Sequence, residues 1–136
     1  MRVLVVDDAP DTCDLLKLIL ENCGARVKTA SSTDAAMEAM SGEAFDVLIS
    51  DLGMPGGDGY SLIAKVRALS KERGGNIPAA AITAYADEEN RIRVLRSGYQ
   101  IHVPKPISSP ELVAIVANLA GRTGVKRQRI TGPSAS

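Results

Sequence analysis

The sequence runs to 136 residues, near the commonest size of one domain and too short for two full-sized ones. Sixteen Lys and Arg balance sixteen Asp and Glu, so the formal net charge is zero and the basic footprint of a duplex-binding domain is missing; direct contact with nucleic acid is not expected. The composition is 45% hydrophobic but only 3% aromatic, which implies an aliphatic core, and neither an apolar run of about 18 residues nor a signal-peptide pattern is present, so a cytoplasmic chain without direct membrane contact is expected.

Short apolar runs alternate with segments of helical period five times over. This rhythm predicts an α/β fold, a doubly wound five-stranded parallel sheet flanked by five helices. The first strand is Arg2 to Val6, apolar throughout as burial on both faces requires, and it ends in Asp7-Asp8. From Asp11, which can cap the first helix, Leu15, Leu16, Ile19, Leu20 and Cys23 recur at helical spacing, and Gly24 terminates the helix. Cys13 and Cys23 would stand about 15 Å apart on it, beyond the roughly 7 Å of a disulfide, and are expected as free thiols. Ala25 to Ala30 is a more polar strand near an edge. Ser32 or Thr33 caps a second helix with Ala36, Met37 and Met40 on its buried side, closed by Gly42.

Phe45 to Ser50 forms the third strand, with Asp51 just past its end. Residues Gly53 to Gly59 are too rich in Gly and Pro for regular structure; they lack both the dinucleotide fingerprint and the Walker spacing, so they predict a sharply bent loop. Asp58 can cap a helix carrying Leu62, Ile63, Val66 and Leu69, and Gly74-Gly75-Asn76 make a turn. Pro78 to Ile82 is a strand of small side chains ended by Thr83. Asp87 caps a helix with Ile92 and Leu95, which stops at Gly98, and Arg91, Arg93 and Arg96 are expected on its solvated face. Ile101 to Pro104 is the fifth strand, followed by Lys105-Pro106, and Ser109-Pro110-Glu111 opens the last helix. The predicted division is a domain over 1–121 and a flexible tail over 122–136.

Asp7, Asp8, Asp51, Thr83 and Lys105 all fall at carboxyl ends of predicted strands, the edge at which doubly wound sheets bind ligands. Carboxylates within about 4 to 6 Å of one another repel by about 1 kcal/mol per pair in water and by several at an effective dielectric of 20. A hard divalent cation relieves this, and Mg²⁺ takes one or two carboxylates together with phosphate oxygens. Lys105 adds a point charge and Thr83 a hydroxyl, groups suited to the oxygens of a phosphoryl group in transfer. Asp51 is then a candidate nucleophile, since an aspartate can form an acyl phosphate.

The runs V-V-D-D at 5–8, I-S-D-L-G-M-P at 49–55, I-T-A at 82–84 and V-P-K-P at 103–106 resemble the receiver domain of two-component response regulators, over about residues 2 to 120. The resemblance implies the flavodoxin-like receiver fold, with Asp51 as phosphoacceptor. It implies Mg²⁺ held by Asp8 and Asp51, by the Gly53 carbonyl and, through water, by Asp7. Thr83 would be the switch hydroxyl, Lys105 the phosphoryl partner and Lys105–Pro106 a cis bond. Implied partners are a histidine kinase or a histidine phosphotransfer domain as donor, and an output protein or a second copy on the face of the fourth helix, fifth strand and last helix. Turnover would amount to self-phosphorylation, with room for autophosphatase activity. His102 stands where the family often carries an aromatic, and Gly53 and Tyr85 occupy the positions that tune phosphate loss. His102 itself reads as a partly exposed residue rather than a ligand. The chain is expected to be either a stand-alone receiver or an excised module, the abrupt start suggesting the receiver end of a hybrid sensor kinase.

Three other functions fit these residues less well. A small-molecule phosphatase would want a general acid two residues beyond Asp51, where Gly53 stands. A flavin binder would want aromatic stacking from a chain with one Phe and three Tyr. A receiver-like interaction module acting without phosphorylation would be expected to have lost an acid or the lysine.

Overall fold

The apolar runs assemble into one parallel sheet. The computed structural model describes residues 1–53, 58–84 and 87–122, with the side chains of Asp58 and Arg122 outside that description. Strands β1 (Arg2–Val6), β2 (Arg26–Ala30), β3 (Val47–Asp51), β4 (Ala79–Thr83) and β5 (Ile101–Pro104) lie in the order β2-β1-β3-β4-β5. All neighbours run parallel. Helices α1 (Pro10–Glu21), α2 (Thr33–Gly42), α3 (Asp58–Arg67), α4 (Glu88–Ser97) and α5 (Ser109–Arg122) make the crossovers, and a short 3-10 turn at Lys71–Arg73 precedes β4. The doubly wound five-stranded fold expected from the sequence is the one observed. Among the described residues no helix is long and apolar enough to cross a membrane.

Strand alternation divides the core in two. Leu4, Val6, Leu48, Ala79 and Ala81 face a cluster with Leu62, Ile63, Val66 and Val94, on the side of α2, α3 and α4. Val3, Val5, Val47, Ile49, Ala80 and Ile82 face Leu16, Leu20, Leu112, Val116 and Leu119, on the side of α1 and α5. Strand order reverses between β1 and β3, whose carboxyl ends lie side by side with Val6 opposite Ser50. This is the crevice at which such sheets bind ligands.

Ser32 caps α2 by accepting from Ala35 N–H at 3.1 Å, and Asp87 caps α4 by accepting from Asn90 N–H at 2.8 Å. The start of α1 differs from expectation. It begins at Pro10 behind Ala9, without a side-chain cap from Asp11, because proline at the first position lacks the N–H that would need one. It ends at Glu21, so Cys23 lies beyond the helix; Cys13 is buried, Cys23 is exposed, and both are free thiols. Leu15, grouped with the core by spacing, is exposed, and in α4 the buried residue is Val94 while Ile92 is exposed. Strand β3 starts at Val47 rather than Phe45, because Asp46 turns to accept Arg2 N–H at 2.8 Å, and it includes Asp51 as its last residue. The expected loop at Met54 to Gly57, the capping role of Asp58, Tyr85 and the tail after Arg122 lie outside the described residues.

Candidate functional site

Each polar residue of the site is delivered by a strand end. At the end of β1, Asp7 donates its N–H to Ala30 O at 3.0 Å, which prolongs the pairing with β2 by one residue. The next peptide turns into α1, and Ala9 N–H donates to Asp7 Oδ1 at 2.9 Å. From inside α1, the Cys13 thiol donates to the Asp7 carbonyl at 3.2 Å. Asp7 is buried and Asp8 exposed. Asp51, also buried, ends β3; the chain turns so that Gly53 N–H donates to Asp51 Oδ1 at 2.9 Å. Oxygens of Asp7, Asp8 and Asp51 lie within 4.8 Å of one another.

Positive charge arrives from the far side of the sheet. Lys105 follows β5 and is anchored by its own N–H, which donates to Thr83 O at 2.8 Å, and its Nζ stands 3.2 Å from Asp51 Oδ1. Thr83 is buried at the end of β4, and the bond from Lys105 to Pro106 is cis. A cavity of about 330 Å³ opens beside these groups, lined by Gly53, Thr83, Asn90 and Lys105; on it the Arg93 guanidinium sits 4.4 Å from the centre of the Tyr60 ring. The six sequence-predicted residues therefore occupy one edge. Asp7, Asp8 and Asp51 cluster, and Gly53 and Lys105 meet on one oxygen of Asp51. His102 is half-buried on β5.

Sequence reasoning missed Cys13 as a support for the Asp7 backbone, Arg93 as the partner of Tyr60, and Tyr99, which the fold buries. A helical position facing a strand end was the only signal for Cys13.

The Asp7 carboxyl is held above its ordinary value, first by burial and then by the charges of Asp51 and Asp8, against the lowering effects of Ala9 N–H and Lys105. A carboxyl with a raised value binds its proton more readily folded than unfolded. Folding is then favoured by Asp7 at pH below its unfolded value and loses that contribution as pH rises through the folded one. At neutral pH its charge is a cost to the metal-free fold. We expect Asp7→Asn, whose amide oxygen can still accept from Ala9 N–H, to melt higher than the unaltered chain in EDTA and to bind Mg²⁺ about ten- to a hundredfold more weakly. Calorimetry with and without Mg²⁺ checks both. Hard oxygens from three carboxylates, two of them buried and Asp7 under like-charge repulsion, fit a small divalent cation.

The pattern of the response regulator receiver domain matches residues 3–117. The chain belongs to the response regulator receiver domains. Receivers are signalling modules of two-component systems, and their acidic pockets bind Mg²⁺. This receiver is 46% identical to an uncharacterised 14.6 kDa protein of Leptolyngbya boryana, over 85% of this chain and 87% of that one. It is 36% identical to the sensor histidine kinase RcsC of Salmonella typhi over 90% of this chain, which spans only 12% of that protein. The Francisella response regulator 1452 receiver domain superposes with a TM-score of 0.80 at 31% identity, covering 90% of this receiver and 98% of that chain.

Proposed function

We propose that this receiver is the phosphoacceptor of a two-component phosphorelay: in a Mg²⁺-dependent reaction, Asp51 takes a phosphoryl group from a phosphohistidine of a histidine kinase or phosphotransfer domain. The observation that carries the reading is the Lys105 Nζ, 3.2 Å from Asp51 Oδ1, at the edge of the three-carboxylate cluster. Nucleophile, cation site and phosphoryl partner converge on one side chain.

Gly53 N–H and Lys105 Nζ both engage Asp51 Oδ1, which fixes the carboxylate plane before a donor arrives. An Asp51 oxygen attacks phosphorus in line; the new O–P bond forms as the P–N bond breaks, and its electron pair stays with the imidazole nitrogen. Asp8, Asp51, the Gly53 carbonyl and, through water, Asp7 would hold Mg²⁺, which supplies neutralisation of the phosphoryl oxygens. Lys105 then moves its charge from the carboxylate to the phosphoryl group, and Thr83 donates its hydroxyl to it. The face of α4, β5 and α5 reads out this movement, to an output protein or a second copy. Shifting the receiver from 1:99 to 99:1 active requires a preference of about 5.5 kcal/mol. A few charge-assisted hydrogen bonds supply that order of energy. The setting is cytoplasmic, without direct contact to nucleic acid or membrane.

The test is the intact mass after incubation with acetyl phosphate. With Mg²⁺ the chain is expected to gain one phosphoryl group, and with EDTA none. No gain from acetyl phosphate or from a phosphorylated histidine kinase, with no Mg²⁺-dependent shift of the pocket resonances, would replace this reading with that of an interaction module acting without phosphorylation.

A further inference from the structure

We propose that Tyr99 is a positioning residue for phosphoryl transfer, its phenol fixing the first turn of α3 against the backbone of the phosphoacceptor; this rests on the reading of Asp51 given above. Tyr99 is only 2% exposed, and its hydroxyl donates to Gly59 O at 2.6 Å, across 40 residues of sequence. Gly59 packs against the backbone at the end of β3. A Cβ there would stand 2.8 Å from Leu52 Cα and 3.0 Å from Asp51 O, so the helix and the residue bearing the nucleophile touch backbone to backbone. Holding Gly59 thus braces the backbone of Asp51 and Leu52, next to Gly53, the donor to Asp51 Oδ1.

The phenol can do this because its own backbone is held on both flanks. Before it, Gly98 reverses the chain with φ 125° at the end of α4. The Arg67 guanidinium donates to Gly98 O from Nε at 3.0 Å and from Nη2 at 2.7 Å, and from Nη1 to Gly75 O at 3.0 Å and Ile77 O at 2.6 Å. After it, Gln100 accepts from Ala79 N–H through its side chain at 2.7 Å, and its own N–H donates to Ala79 O at 2.9 Å. Burial pushes the phenol up to about 12, so it remains a donor at every working pH. The Ser50 hydroxyl, and most weakly the Asp51 charge, act on the phenol oxygen as well. Ser50 Oγ is buried without a hydrogen bond of good geometry, and Gly59 O is therefore the phenol's acceptor.

Phenylalanine would fill the same volume, and the Gly59 carbonyl keeps its role in the helix, so the hydroxyl is not needed to close the core. Its use is orientation. In Tyr99→Phe, the maximal rate of phosphorylation at saturating Mg²⁺ and acetyl phosphate is expected to fall about tenfold while KM for the donor stays within about twofold, as loss of alignment without loss of binding requires. The melting midpoint is expected to move by no more than about 5 °C. A maximal rate within about twofold of the unaltered chain overturns the proposal. So does a variant that fails to fold, which would make the hydroxyl a purely structural group. If the unaltered chain takes no phosphoryl group from acetyl phosphate or from a kinase, the phosphoacceptor reading itself falls, and this inference with it.

Discussion

Asp51→Asn is expected to keep its mass under conditions in which the unaltered chain gains a phosphoryl group, and to do so without losing its fold. Asparagine has the same shape, and its amide oxygen can accept from Gly53 N–H as Asp51 Oδ1 does at 2.9 Å. What disappears is the anionic carboxylate proposed as the nucleophile, the charge facing Lys105 Nζ at 3.2 Å, and one corner of the carboxylate cluster. A neutral amide oxygen does not form an acyl phosphate, so the loss is complete rather than graded. The Asp7 carboxyl should drop back toward its ordinary value, because Asp51 is the first charge that raises it after burial. Intact mass and a carbon-detected titration of Asp7 read the two effects separately. An Asp51→Asn chain phosphorylated at the unaltered rate would place the acceptor elsewhere.

The other large effect concerns two adjacent leucines of α1. Leu16 is 3% exposed and packs among Val3, Val5 and Leu20, whereas Leu15 is 56% exposed. Leu16→Ala removes buried methyl groups and leaves a cavity between helix and sheet, at a cost of about 2–5 kcal/mol. Total stability for a domain of this size is about 5–15 kcal/mol, so a substantial share of it is at stake. The melting midpoint should fall by about 10 °C or more. Leu15→Ala, at a solvated position, should change stability by no more than about 0.5 kcal/mol. Urea unfolding of both variants, with unchanged slope, checks the contrast; similar losses in both would mean that Leu15 is covered in solution.

That contrast marks where a linear reading stops. Helical spacing put Leu15 and Leu16 on one list, because an apolar stripe read from sequence is wider than the line along which α1 meets the sheet. The strands were legible for the opposite reason. Val3 to Val6 and Val47 to Ile49 are apolar without alternation, as burial on both faces demands, so their ends, and with them Asp7, Asp8, Asp51, Thr83 and Lys105, could be placed from residue order alone. The boundary at Phe45 was not legible, since only the bond from Arg2 N–H to Asp46 shows that the chain is still turning there. Nor was the support around the site. The Tyr99 phenol on Gly59, the Arg67 fork on Gly98 and the Cys13 thiol behind Asp7 are contacts between separate elements, and no local spacing encodes them.

The order of the strands also distributes rigidity unevenly across the site. β3 is paired on both sides, and all five of its residues are buried; β5 has a neighbour on one side only and carries exposed and half-buried positions. Edge pairing opens at a lower free energy than pairing in the middle of a sheet. Asp51 therefore ends a strand paired on both sides, whereas Lys105 follows an edge strand, whose pairing opens more readily. The lysine is the member of the pair that can follow a change of charge, and the strand before it leaves its outer edge unpaired in the sheet.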